Sequence, residues 1–366
     1  MQATITVDRS GDTSGTTMVN YRTTDNDNFT VGCADTTNNH GAAYSRCDFT
    51  TSVGIVQFAA GETSKTINVS ISDDAHNEGP ETFQIVLENP TGGALGTTAM
   101  ATVTIQDNDA AAQTNPILGS AFFVRQHYLD FLAREPELAG FNAWLGVLNG
   151  CPDVFNLNPN SPSANCDRIK VSGSFFGSPE FQLKGFYAFR FYRLGFNSLP
   201  EYVEISADMS FISGATPQEV FQRKALLAEN FVQRQEFQTM YGNLANAQYV
   251  NTLLGHYQLT QITTPDPQQP DGTQKVTLTA NDLINRLNNM TLTRAQVFRA
   301  ISDSDQVVAA EFNNAFVAME YYGYLRRKPD MAGFQAWLQV LLGGDTRTMI
   351  NGFVNSPEYR LRFGAP

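Results

Sequence analysis

The feature that most constrains this chain is that it repeats itself. FVRQHYLDFLAREPELAGFNAWLGVLN, from Phe123 to Asn149, returns as FVAMEYYGYLRRKPDMAGFQAWLQVLL, from Phe316 to Leu342. At a constant offset of 193 positions, Phe123 matches Phe316, Tyr128 matches Tyr321, Arg134 matches Arg327, Pro136 matches Pro329, Gly140 matches Gly333 and Trp144 matches Trp337. The 2 tryptophans of the chain therefore hold one repeat position. A second matched block follows each copy, SFFGSPEF at Ser174 to Phe181 and GFVNSPEY at Gly352 to Tyr359, at an offset of 178, so the first copy carries 193 − 178 = 15 extra residues between the blocks. Phe123, Val124, His127, Tyr128, Phe131 and Leu132 share one helical face, as do Phe316, Val317, Tyr321, Tyr324 and Leu325. Each copy reads as a helix pair plus a helix start, and such self-similarity points to modular architecture before it points to chemistry.

The expected boundaries are residues 1–109, a linker over 110–120, and a helical region over 121–366 whose two related repeats span about 121–185 and 314–364. The linker AAAQTNPILGS loses all strand alternation and carries Asn115-Pro116, a turn signal. Beyond it, helix starts are marked by Ser178-Pro179-Glu180, Thr216-Pro217 with Glu219, Thr293 with Gln296, and Ser356-Pro357-Glu358. In these a hydroxyl caps, proline takes the first turn or an acid complements the dipole. Gly150 and Gly343 are natural stops, and TQITTPDPQQPDG at Thr260 to Gly272 reads as an exposed loop.

Before the linker the period is two. ATITVDR, TMVNYRT, GIVQFAAGE, KTINVSI, ETFQIVLEN and ATVTIQDND are six strand-like runs separated by Gly, Asp and Asn, which predicts an antiparallel β-sandwich. The fold class is therefore multidomain, β followed by α. Acidic residues gather in the loops: Asp25 and Asp27, then Asp73, Asp74, Glu78 and Glu81, then Asp107 and Asp109. Carboxylates crowded at one end of a sandwich repel one another unless a cation neutralises them, and hard oxygen ligands suit Ca²⁺ better than a transition metal. A solvated acidic surface is the plainer alternative.

The 4 cysteines form two close pairs, Cys33 with Cys47 and Cys151 with Cys166, each bracketing a polar loop, and the second pair flanks the 15-residue insertion. The pattern reads as two local disulfides, with two pairs of buried thiols as the alternative. A bridge over such a loop stabilises by about 3 kcal/mol and persists only in oxidising surroundings. No CxxC and no paired histidines suggest a transition-metal site.

At this point the first 109 residues resemble the Calx-beta domain. The resemblance rests on VDRSGDTSGTTMVNYRTTD, on DFTTSVGIVQFAAGETSKTINVSISDD followed by EGPETFQIVLENPTGGALG, and on the closing TVTIQDND. It implies an extracellular, immunoglobulin-like sandwich that often binds Ca²⁺ at one end, with Asp25, Asp73, Asp74, Glu78, Glu81, Asp107 and Asp109 as the matching ligand positions. Three departures stand out: Asn108 occupies a position that is often acidic, the family's first strand with its own Glu is missing, and the Cys33–Cys47 loop is inserted before Asp48-Phe49. A sandwich without that strand leaves backbone groups unpaired along an edge, which invites a donated strand from an identical subunit or another surface protein. Val276 to Leu278 or a terminus are candidate donors, and a strand upstream of Met1 is the alternative.

The two repeats resemble a bacterial domain of unknown function from large secreted and surface-layer-associated proteins, itself similar to the phycobilisome linker domain. The signature is Arg134, Pro136, Gly140, Trp144 and Ser178 to Phe181, then Arg327, Pro329, Asp330, Gly333, Trp337 and Ser356 to Tyr359. Glu137 replaces the Asp at the first turn, which weakens a cap there. LPEYVEISADM and NFVQRQEFQTMYGNLANAQYVNTLL resemble text from acidobacterial surface proteins. These resemblances imply location and company and no catalytic residue.

A formal net charge of −12 argues against nucleic-acid and anionic-membrane partners. No apolar run reaches the roughly 18 residues of a membrane span. His40, His76, His127 and His256 are scattered, with no HExxH, GxSxG or phosphate-cradling loop. His127 is expected as a hydrogen-bonded core residue, and the Glu of each SPE block as a helix-start acid rather than a general acid. The chain is thus expected to be a non-enzymatic, secreted bacterial surface protein, structural or adhesive, self-associating into a fibre or matrix, with calcium steadying its sandwich. A glycan- or protein-binding tail of a larger secreted protein is the rival, and an enzyme with an unrecognised site is third.

Overall fold

The computed structural model describes residues 1–35, 37–38, 41–109, 113–214, 216–269 and 274–365. Of the expectations above, those on His40 and on residues 110–112 and 270–272 lie outside this set.

The period-two text folds as β1 (Gln2–Asp8), β2 (Thr17–Thr24), β3 (Val53–Phe58), β4 (Ser64–Ser70), β5 (Glu81–Thr91) and β6 (Met100–Ile105). β1 pairs with β4 in one sheet, and the other has the order β3-β2-β5-β6, all antiparallel. Among the described residues β4 is the only strand that pairs with β1. Alternation decides which side chains face inward: Val7, Val19, Val56, Phe58, Ile67, Val69, Phe83 and Ile85 form the core with Phe49, whose ring stacks on Phe83 at 4.1 Å. An immunoglobulin-like sandwich is what such two-sheet packing builds.

The period-3.6 text is helical. α1 (Ser120–Leu132) ends at Ala133, which is left-handed at φ 52°, and α2 (Leu138–Asn149) and α3 (Arg168–Phe176) follow. The helix Met331–Leu342 has the bounds of α2 shifted by 193, and Thr346–Val354 has those of α3 shifted by 178. Arg326, at φ 47°, is left-handed where Ala133 is. The capping expectation also holds in detail. Asp330 accepts a hydrogen bond from the Gly333 N–H, whereas Glu137 makes no side-chain cap. Both disulfides form, Cys33–Cys47 and Cys151–Cys166, each with its Cα atoms 5.4 Å apart.

The described chain forms two compact units that interleave along the sequence. One comprises Met1–Ser178, Glu320–Arg327 and Gly344–Pro366, and the other Pro179–Met319 and Lys328–Gly343. The sandwich thus shares its unit with segments from both ends of the region expected to be one helical domain over 121–366. Within that unit His127 is fully buried, its Nδ1 bonded to the Phe123 carbonyl and its Nε2 to the Ser172 hydroxyl, as expected of a core histidine. Gly323 lets the Phe131 ring lie where a Cβ would overlap it. The second unit has an aromatic core in which Phe231 stacks on Phe298 at 5.5 Å, and a hairpin of β7 (Gln261–Pro265) and β8 (Lys275–Thr279).

Candidate metal centre

Three loop segments bring acids together at one end of the sandwich: the turn before β3, the β4–β5 connection, and the residues after β6. Asp48, Asp73, Asp74, Glu78, Glu81, Asp107 and Asp109 line one cleft with Ser72, His76 and Asn108, and among the described residues no Lys or Arg lines it. At its centre, Asp48, Asp74 and Glu78 each present an oxygen, and these oxygens lie within 4.8 Å of one another.

Each acid is placed by local chemistry. Asp48 closes the turn Tyr44–Asp48, its Oδ2 accepting from the Tyr44 N–H at 2.6 Å, and its own carbonyl accepts from the Ser72 N–H at 2.8 Å. Asp74 caps its loop through the His76 N–H at 2.8 Å. Asp107 accepts from the N–H groups of Glu78, Gly79 and Asp109, which ties the third segment to the second. Asp73 accepts from the Asn108 amide at 3.2 Å, so the residue that replaces an acid here braces one instead. Glu81 opens β5 and is buried, with a carboxyl hydrogen bond to Asp48.

The electrostatics follow from crowding without a counterion. Burial, then repulsion from Asp48, pushes the Glu78 and Glu81 carboxyls up to about 9 and about 10. Burial also raises Asp48 to about 7, opposed by its backbone bond to Tyr44 and reinforced by Asp74. Asp74 rises to about 6 through burial, despite the His76 contacts. Asp109 is raised by burial and by Asp107 and Asp73. Burial works the same way on Asp107, but its three backbone donors overcome it and hold that carboxyl below the ordinary range. At neutral pH, then, protons do the work that a cation would do.

The residues fit Ca²⁺. Oxygens that share one such ion at 2.3–2.6 Å lie at most about 5 Å apart, and the central trio meets that limit with an all-oxygen, anionic donor set. Ser72, which also lines the cleft, has a buried hydroxyl without a hydrogen-bond partner among the described residues. His76 is turned to other use, its Nε2 bonded to the Leu361 carbonyl at 2.9 Å.

Six of the seven acids matched from sequence come together in this way. Asp25 does not line the cleft. Its carboxylate accepts from the Ser45 and Asp27 N–H groups at 2.6 and 3.0 Å, and the neighbouring Asp27 pairs with Arg46 at 2.8 Å. Asp48 is the participant that the candidate set omitted. Its signal was available: an acid directly before the core aromatic Phe49, one residue past Cys47.

Residues 1–109 match the family described as Calx-beta domain. They form a Calx-beta domain. Residues 308–363 match the domain of unknown function DUF4214. Among curated proteins, adhesion G-protein coupled receptor V1 of Danio rerio is 48% identical over 90 residues, which is 24% of this chain and 1% of the receptor. The chain thus spans about 1% of that relative's length. Among solved structures, the calcium binding domain CBD12 of CALX1.1 is 30% identical, covering 30% of this chain and 41% of that one, with a TM-score of 0.25. The apo-form Calx CBD1 domain is likewise 30% identical over 30% of this chain and 83% of its own, at a TM-score of 0.25.

Proposed function

We propose that this chain is a non-enzymatic part of an extracellular surface protein, structural or adhesive in role, whose Calx-beta domain binds Ca²⁺ at the acidic cleft. The observation that carries the reading is the trio Asp48, Asp74 and Glu78, drawn within 4.8 Å in a cleft that among the described residues no Lys or Arg lines, where protons or a cation offset their repulsion. Two disulfides fit oxidising surroundings, and adhesion is in the name of the receptor relative. Asp48, Asp74 and Glu78 would hold the ion first, with Glu81, Asp73, Asp107 and Asp109 around them. The ion would supply the missing positive charge and fix the three loops to one another.

Within this reading the chain self-associates, with strand addition at β1 as the route, because β4 is that strand's only partner among the described residues. Among the described residues no helix is long and apolar enough to cross a membrane. Isothermal calorimetry with Ca²⁺, paired with thermal melts in excess EGTA and in millimolar Ca²⁺, tests the calcium reading. Binding at 100-fold over Kd stabilises by about 2.7 kcal/mol, which for a unit of this size raises Tm by about 5–10 °C. An unchanged melt with no binding heat leaves a solvated acidic cleft and ends the proposal. For self-association, light scattering at high concentration should show growth with concentration, and a monomer throughout would exclude it.

A further inference from the structure

Two of the segments that carry cleft carboxylates are gripped by groups outside the sandwich. The first is the turn that ends in Asp48. Arg326 donates from Nη1 to the carbonyls of Ser45 and Phe49 at 2.7 and 3.0 Å, while its Nη2 and Nε reach Asp130 of α1 at 3.0 and 3.2 Å. The second is the loop that carries Asp73 and Asp74. Its Ala75 N–H donates to the Phe363 carbonyl at 3.0 Å, and His76 bonds the Leu361 carbonyl. Between Leu361 and Phe363 stands Arg362, which donates to the Tyr324 carbonyl at 2.7 Å and to Asp130 at 3.0 Å. Both grips therefore lead to one carboxylate, that of Asp130.

Ser72 marks where the two gripped segments meet. Its N–H donates to the Asp48 carbonyl, and its hydroxyl is buried at the cleft without a hydrogen-bond partner among the described residues. Ca²⁺ accepts oxygens only over about 2.3–2.6 Å, so shifts of a few tenths of an ångström between these segments decide whether the trio can share an ion. Arg326 is 1% exposed, and its one rigid fork bridges the Ser45 and Phe49 carbonyls to Asp130, which ties the Asp48 turn to α1.

We propose that the helical layer of this unit positions the cation-binding loops, with Arg326 as the positioning residue, so that Ca²⁺ binding in the cleft and docking of α1 and the 357–363 segment are thermodynamically linked. This rests on the calcium reading above and extends it. By reciprocity, whatever factor the docked layer adds to Ca²⁺ affinity, Ca²⁺ adds to docking. The effect of Ca²⁺ then reaches the helices, although among the described residues no helix contributes a side chain to the cleft.

Two measurements on the full chain test it. In hydrogen exchange of the wild type, added Ca²⁺ should slow exchange in peptides covering 120–132 and 357–363 as well as in the cleft loops. In Ca²⁺ calorimetry, Arg326→Lys keeps a cation beside Asp130 but replaces the planar fork by a single nitrogen, which cannot reproduce the spacing between Asp130 and the two carbonyls. It should weaken Ca²⁺ binding at least about fivefold, the low end of ordinary coupling. An Arg326 that only stabilises the fold would lower Tm in EGTA and leave Ca²⁺ affinity unchanged, which overturns the proposal. Wild-type binding with protection confined to the cleft loops also overturns it and leaves the calcium reading standing. Absence of binding heat in the wild type removes the calcium reading and this inference together. Should the lysine variant not fold, the wild-type exchange result decides alone.

Discussion

Asp130 on α1 and Asp48 beside the sandwich core are both aspartates withdrawn from water, and they meet opposite fates. Burial raises the Asp130 carboxyl, but Arg362 and Arg326 outweigh it and hold the group below its ordinary range. Both arginines are themselves buried, the Tyr359 hydroxyl donates to Oδ2 at 3.2 Å, and Gln126 donates to Oδ1 at 2.9 Å. Asp48 has Asp74, Glu78 and Glu81 for company, and burial carries it to about 7. A balanced, fully hydrogen-bonded charge is a structural part, since its partners are already present. An unbalanced cluster is stable only with protons or an ion, and that makes it a site.

The largest expected effect comes from unbalancing the balanced region. Asp130→Ala strands two buried guanidinium groups, and breaking a buried pair of this kind costs about 3–5 kcal/mol. Tm should fall by roughly 10–15 °C for a unit of this size, and a loss under about 3 °C would show that the arginines find water instead. A shift in pH separates the regions next. The folded cleft keeps protons that an unfolded chain, with carboxyls near 4, has already released. Its acids, with values from about 6 to about 10, therefore subtract stability progressively as pH rises from about 5 to 9. In EGTA, Tm should drop by about 5–10 °C over that range, and millimolar Ca²⁺ should reverse the trend. Asp130 has the contrary sign: its lowered value adds stability that is present above about 4 and lost as pH falls below that.

Glu78→Gln sharpens the contrast from the other side. Glu78, raised to about 9, must take up a proton on folding near neutral pH, and a glutamine need not, so Tm in EGTA should rise by about 2–4 °C, on the order of 1 kcal/mol, while Ca²⁺ affinity falls by about tenfold or more. A variant that loses stability in EGTA would mean Glu78 is held by favourable bonds rather than strained by burial among other acids. The smallest effect belongs to Asp25→Asn. Because Asp25 serves backbone N–H groups outside the cleft, Ca²⁺ affinity should stay within about twofold and stability should fall by about 1 kcal/mol. A large loss of affinity in calorimetry would return Asp25 to the ligand set.

Sequence by itself determined everything whose cause lies within a few positions along the chain. Period two in ATITVDR and period 3.6 in FVRQHYLDFL set strand and helix, because side-chain direction is fixed by local geometry. The matched helix bounds, the cap at Asp330 that Glu137 fails to make, and two disulfides closing loops of 14 and 15 residues are local in the same sense. Tertiary structure decided what those elements meet. The position matched between the repeats is Arg327, partly exposed and paired with Glu358, while its neighbour Arg326 lies inside, facing Asp130 from 196 positions away. Opposite Asp130 and Arg326 the other copy has Gly323 and Ala133, so the repeat gave no hint of their pairing. Asp48 likewise became a participant only when folding set it beside Asp74 and Glu78. Burial and the sign of the nearest charge fix a carboxylate's role, and both are set by residues that the sequence keeps far apart.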